Sequence, residues 1–213
     1  MLNPSVNYLA ASASLRDAEI ALKEQREAVA AMRRGLPEGP ELPNYFFSTG
    51  SNGEQVALSE LFRLGCNNLA VIHFMYKAAD TSPCPMCSMW ADGYNAIQSH
   101  IEQHMPMVLV AKAPFAMLSE HAAGRGWGNL RLLSSENNSF NRDFGMETAD
   151  GGQVPGFSIL TKAPDGTMRQ FYTGCAMFGN GHYRGLDMLT PVWNILDLTP
   201  DGRGEWFPGL QYS

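Results

Sequence analysis

Nowhere in the 213-residue chain does an apolar run approach the roughly 18 residues of a membrane span, and no membrane partner is expected. Basic charge is equally scarce. Fifteen Lys and Arg stand against 21 Asp and Glu, the formal net charge is −6, and the cations adjoin only at Arg33-Arg34. A chain of this sign lacks the electrostatic footprint of a nucleic-acid binder. The stretch MLNPSVNYLAASASLRDAEI has no basic region leading into a continuous apolar segment. It does not read as a secretory signal, and the expected location is cytoplasmic. Four cysteines are too few for a disulfide scaffold in a chain this long. There is no internal repeat. Composition leaves an ordinary globular protein, 45% hydrophobic and 17% charged, long enough for one sizeable core.

The pattern of elements is α/β. Residues Ser14 to Met32 are rich in Ala, Leu, Glu, Lys and Arg and predict a helix, with Leu15, Leu22 and Val29 spaced by heptads. That stripe suits packing on the body of the protein or on a second subunit, a possible homo-oligomer. Gly35, Pro37, Gly39, Pro40 and Pro43 make a breaker-rich linker. The run LAVIHFMY (Leu69 to Tyr76) has the length and apolarity of a buried central strand, and PMVLVAKA (Pro106 to Ala113) repeats the signal. Helices are predicted from about Pro85 to His104 and from Pro114 onward. FSILTKA and MRQFYTG flank the turn Pro164-Asp165-Gly166 as a β-hairpin, and LDMLTPVWNILDL predicts a last helix interrupted near Pro191. Strands alternating with helices, then a hairpin and a helix, imply a partly parallel sheet.

One segment, TSPCPMCSMWADGYNAIQSHIEQHM (Thr81 to Met105), carries two chemistries in its spacing. C-x2-C-x12-H-x3-H is the ligand pattern of a zinc finger. A finger, however, places its cysteines on a small hairpin and its histidines on a separate helix, whereas these cysteines follow a core strand. If Cys87 and His100 share one helix, they lie roughly 20 Å apart along its axis, too far for a common ion. His100 and His104 are then surface residues, and no metal or other cofactor is expected.

The redox reading gives each residue a role. Cys84 would sit at a helix N-terminus, where unpaired N–H groups and the positive dipole end favour thiolate over thiol. Pro85 suits the first helical turn because it has no N–H to leave unpaired. Cys87, one turn further in, can attack a mixed disulfide formed at Cys84. Lys77 adds positive charge nearby and Asp80 opposes it. Pro155, just before the apolar strand that opens the hairpin, stands where a thioredoxin-type site carries a cis-proline facing its cysteines, or is a trans proline that starts the strand. Cys66 and Cys175 can be further resolving thiols, members of a four-thiolate metal site, or small buried hydrophobes. His73 reads as a core histidine.

The chain resembles, along nearly its whole length, a bacterial thioredoxin-like group known as domain-of-unknown-function family 899. The matching features include Arg34-Gly-Leu-Pro, Ile72-His-Phe-Met-Tyr, Cys84-Pro-Met-Cys-Ser-Met-Trp-Ala-Asp, Ala113-Pro114, Gly126-Trp127, Phe140-Asn-Arg-Asp-Phe-Gly, Pro155-Gly-Phe-Ser, Arg184-Gly-Leu-Asp and Leu196-Asp-Leu-Thr-Pro. The resemblance implies a thioredoxin-like mixed sheet flanked by helices (44–213) behind an N-terminal helical extension and linker (1–43). It supplies no established reaction. AMFGNGHY, after Cys175, is expected as extra loop. Cys-Pro-x-Cys is also similar to the glutaredoxin site. Thr81 resembles the threonine of peroxiredoxins, although Lys77 replaces their upstream proline. Arg125, Arg131 and Arg142 are candidates for the arginine that peroxiredoxins place beside the thiolate.

The expected site is therefore Cys84 and Cys87 as the catalytic pair, with Pro155, Thr81, Pro85 and Trp90 supporting. The leading expectation is a thiol–disulfide oxidoreductase. A thiol peroxidase with Cys84 as the peroxidatic residue is the second, and a non-catalytic binding module of the same fold the third. Expected partners are a protein disulfide, a low-molecular-weight thiol or a hydroperoxide.

Overall fold

The structure is a computed structural model that describes residues 3–211, in two units that meet in sequence at Glu38 and Gly39. The first unit is a single helix, α1 (Val6–Arg34). It begins eight residues before the expected Ser14, because Ser5 caps it by accepting the Tyr8 N–H at 3.2 Å. Arg33 and Arg34 occupy the last turn, at the negative end of the helix dipole, and the Gly35 N–H closes on the Ala31 carbonyl at 3.0 Å.

The second unit is built on one sheet. Its strands are β1 (Phe46–Ser48), β2 (Gln55–Ala57), β3 (Asn68–Lys77), β4 (Met107–Lys112), β5 (Arg131–Ser134), β6 (Gly156–Lys162) and β7 (Met168–Cys175). Their order is β2-β1-β5-β4-β3-β6-β7, with β3, β4 and β5 parallel and β6, β7, β1 and β2 antiparallel to their neighbours. The apolar run in β3 is continuous because both faces are covered. Leu69 and Val71 enter one core, and Ala70, Ile72 and Phe74 the other. The first core is closed by Phe140, from the short helix α4 (Phe140–Asp143), and by Phe144 just after it. The other is closed by α2 (Pro85–Ile101), α3 (Phe115–Arg125) and α5 (Pro191–Leu196), through Trp90, Tyr94, Leu118 and Trp193.

The hairpin turn forms as expected. Gly166 takes φ 92°, Asp165 accepts from the Thr167 N–H, and Ala163 closes the loop onto Thr167. One expectation is corrected at the C-terminal end. AMFGNGHY is a small hairpin, β8 (Met177–Gly179) paired with β9 (His182–Tyr183). LDMLTPVWNILDL is interrupted near Pro191, as expected. A tight turn over Asp187–Leu189 stops at Thr190, and Pro191, at the first position of α5, starts a new and short helix. No helix among the described residues is long and apolar enough to cross a membrane.

Candidate active site

The site is assembled at the carboxyl end of β3, where open α/β sheets place their ligand crevices. From Lys77 the chain bends back until the Cys84 N–H donates to the Met75 carbonyl at 3.2 Å, fixing the loop against the strand that precedes it. Cys84 is the N-cap of α2 and Pro85 fills the first helical position. One turn on, the Cys87 N–H donates to the Cys84 sulfur at 3.5 Å. Cys84 is half-buried, Cys87 is buried, and both are free thiols.

This geometry separates the two thiols electrostatically. The Cys84 thiol is lowered to about 6, first by a hydrogen bond from the Cys87 side chain and then, against the opposing cost of burial, by the N–H groups of Cys87 and Met86. Cys87 is raised well above the ordinary thiol range by the same hydrogen bond, by burial and by the neighbouring Cys84 charge. The upper sulfur is thus a thiolate near neutral pH and the lower one a protonated donor. Ser88, fully buried, fixes the cap from below. Its hydroxyl donates to the Cys84 carbonyl at 3.0 Å and meets His121 Nε2 at 3.1 Å. Burial, with the Arg125 charge, lowers the His121 pKa.

Both cysteines open into a cavity of about 660 Å³. Met75, Met86 and Trp90 form one side with them, Val154 and Pro155 another. The remainder comes from the C-terminal part of the chain: Ala176, Met177, Tyr183, Arg184, Trp193 and the five residues 203–207. Arg184 and Arg203 are held by two carboxylates. Asp187 Oδ2 accepts from Arg184 Nε and from Arg203 Nη1 at 3.2 Å, while Asp197 lies 2.9 Å from Arg184 Nη2 and 3.9 Å from Arg203 Nε. The Arg203 guanidinium also lies over the Trp193 ring, 5.5 Å from its centroid. The segment's far end is tied down where Arg125 Nη1 donates to the Leu210 carbonyl at 2.7 Å.

Of the sequence-predicted residues, Cys84, Cys87, Trp90 and Pro155 converge on this cavity. Pro85 acts beside it as the first residue of α2. The fold decides three further points. Every peptide bond among the described residues is trans, including that before Pro155. The backbone there is committed within the chain, the Val154 N–H donating to the Met146 carbonyl at 2.9 Å and the Pro155 carbonyl accepting from the Ala176 N–H at 3.3 Å. Thr81 is exposed and lies outside the lining residues. Lys77 reaches away to the Gly151 carbonyl at 2.8 Å.

The arginine expected beside the thiolate is none of the three candidates. Arg125 pairs with Asp92 and Arg142 with Glu147, and Arg131 borders a different hollow; the cavity's arginines are Arg184 and Arg203. The finger spacing is also resolved: α2 runs unbroken from Pro85 to Ile101, so the cysteines and His100 stand near its opposite ends. Cys66 sits at the far end of β3, its sulfur 3.1 Å from the His104 carbonyl. Cys175 faces the other core and accepts the Met177 N–H at 3.4 Å. Both are half-buried, and neither lines the cavity. His73 is a buried core residue, Nε2 bonded to Ser158 at 2.7 Å and the ring stacked on Phe140.

No curated protein matches this chain in sequence. Among solved structures, a cysteine-to-serine mutant of Xylella fastidiosa PrxQ is similar, with a TM-score of 0.50 and 14% identity over 72% of this chain and 93% of that one. The peroxidoxin BcpB of Mycobacterium tuberculosis is similar to the same degree, with a TM-score of 0.50 and 13% identity over 72% and 94%. At that identity the likeness is one of fold, a thioredoxin-like mixed sheet flanked by helices, preceded here by the N-terminal helix. The family described as "Bacterial protein of unknown function (DUF899)" matches residues 2–212, and the chain belongs to it.

Proposed function

We propose that the protein is a thiol peroxidase in which Cys84 is the nucleophile and Cys87 the resolving thiol. The observation that carries this reading is a lowered Cys84 thiol at a helix N-terminus, with a protonated Cys87 one turn below and a small-molecule cavity above both. In the first step the Cys84 thiolate attacks the terminal oxygen of a hydroperoxide. The O–O bond breaks, the sulfur becomes a sulfenic acid, and the leaving oxygen takes a proton to give an alcohol or water. In the second, Cys87 sulfur attacks the sulfenic sulfur, a disulfide forms and water leaves. A low-molecular-weight thiol or a dithiol protein then returns the pair to the reduced state in two exchange steps.

Two observations favour a peroxide over a protein disulfide as oxidant. Residues 203–207 help wall the cavity, leaving room for a small molecule. The backbone at Val154 and Pro155, which a thioredoxin-type reductase uses to pair with an extended partner, is already bonded internally. The names of the two similar structures, PrxQ and peroxidoxin, point the same way. A thiol–disulfide oxidoreductase remains the second reading, favoured by the C-x-x-C pair at a helix N-terminus. Stopped-flow oxidation by hydroperoxides, with Cys84→Ser as control, separates them. The peroxidase reading expects rapid oxidation that Cys84→Ser abolishes, and in Cys87→Ser a stable sulfenic acid that dimedone traps. Slow oxidation by every hydroperoxide, alongside rapid reduction of a dithiol substrate's disulfide, would establish the reductase instead.

A further inference from the structure

The cavity above Cys84 is much larger than the smallest peroxide requires. A molecule of water occupies about 30 Å³ in the liquid, and hydrogen peroxide is only one oxygen larger, yet the cavity measures about 660 Å³. That is the size range of sites that enclose whole organic ligands, about 300–1,000 Å³. Its walls are indole, phenyl and thioether groups: Trp90, Trp193, Trp206, Phe207, Met75 and Met86.

Charge narrows the choice. The two arginines of the lining do not offer a free anion site, because Asp187 and Asp197 neutralise them one for one. The second oxygen of Asp187 is buried without a partner, and Glu205 adds another carboxylate to the lining. An anionic substrate, such as a carboxylate-bearing thiol or peroxide, would meet net negative charge there. The indole N–H of Trp90 is also buried with no hydrogen-bond partner, on a residue that lines the cavity one turn beyond Cys87.

We propose that the site selects organic hydroperoxides with a bulky apolar body and no negative charge, and that the C-terminal strap 203–207, through Trp206, is the wall that sets this preference. The inference rests on the peroxidase reading above. The peroxide's terminal oxygen transfers to Cys84 sulfur and the bulky alkoxide leaves, taking a proton to become the alcohol. The apolar body stays against Trp193, Trp206 and Phe207. The strap is held in place for this task at both ends, by Arg203 on Asp187 and Asp197, and by Arg125 on the Leu210 carbonyl. Trp206 itself makes no structural core, being 47% exposed.

The test is a ratio of second-order rate constants for Cys84 oxidation, cumene hydroperoxide over hydrogen peroxide, measured on the full chain. The wild type is expected to favour cumene hydroperoxide by about tenfold or more, the scale that an apolar pocket gives for a few buried carbons. Trp206→Ala should lower that ratio by about tenfold, and Trp206→Phe should keep it. A wild-type ratio of one or less overturns the proposal whether or not any variant folds. A ratio unchanged in Trp206→Ala overturns the role of the strap. Oxidation by neither peroxide overturns the peroxidase reading itself, an outcome distinct from both.

Discussion

The Cys87 N–H points at the Cys84 sulfur from 3.5 Å, and the Cys87 side chain donates to the same sulfur. One residue thus favours the Cys84 thiolate in two ways. Removing the side-chain donor in Cys87→Ala should raise the Cys84 thiol from about 6 toward the free-cysteine value of about 8.5. The thiolate is the reactive form, so iodoacetamide alkylation, followed from pH 5 to 9, should show its midpoint displaced upward. At pH 7 the rate should fall by roughly tenfold or more as the thiolate fraction drops. An unchanged midpoint would mean that Cys84 owes its acidity to the helix terminus alone.

His73 makes stability depend on pH. Burial pushes it down to about 3, so it stays neutral in the fold while the unfolded chain takes up a proton below about 6.5. The unfolded state binds more protons in that window, and stability therefore falls as pH drops from about 6.5 toward 3. Between pH 7 and 5 the expected loss from this residue is about 2 kcal/mol. His73→Gln retains a partner for Ser158 and has no proton to gain, so urea unfolding of this variant should lack that part of the slope.

Two glycines predict opposite outcomes. A Cβ on Gly185 would come within 2.0 Å of the Cys175 carbonyl oxygen, a backbone atom that cannot move aside cheaply. Gly185→Ala should cost about 1–3 kcal/mol, read as a lower urea midpoint. Gly93 lies inside α2 with nothing within 4 Å of the added carbon, so Gly93→Ala should gain about 0.5–1 kcal/mol from a stiffer unfolded chain.

Asp187 holds Arg184 and Arg203 with one oxygen. Asp187→Ala leaves both cations short of a partner and frees one end of the strap. Amide hydrogen exchange in residues 203–207 should quicken by about tenfold, while the amides of β3 keep their protection. Equal exchange in the strap before and after would show that the Leu210 anchor suffices.

Much of the centre of this fold was legible because its signals are local. LAVIHFMY is apolar without interruption because β3 is covered on both faces, and Pro85 after Cys84 marks where a helix can begin. The same locality let the helical continuity of α2 remove the finger reading. The expected start at Ser14 follows the apolar repeat, whereas the cap that sets the true start, Ser5, lies before that repeat begins. What no local pattern carries is the far half of the cavity. Tyr183, Arg184, Trp193, Arg203 and Trp206 lie about a hundred residues downstream of the cysteines, in short elements with weak periodicity, and only the folded chain returns them to Cys84. Arg125 looked a plausible partner for the thiolate because a lone arginine in sequence does not reveal that Asp92 already holds it.

Three of the protein's four tryptophans, Trp90, Trp193 and Trp206, border the cavity that holds both cysteines. Indole emission is quenched by a nearby thiolate or disulfide and shifts colour when its surroundings lose water. The molecule therefore carries its own optical gauge of the sulfur pair: oxidation of Cys84, closure onto Cys87 and the entry of an apolar guest should each register in the intrinsic fluorescence without any added label.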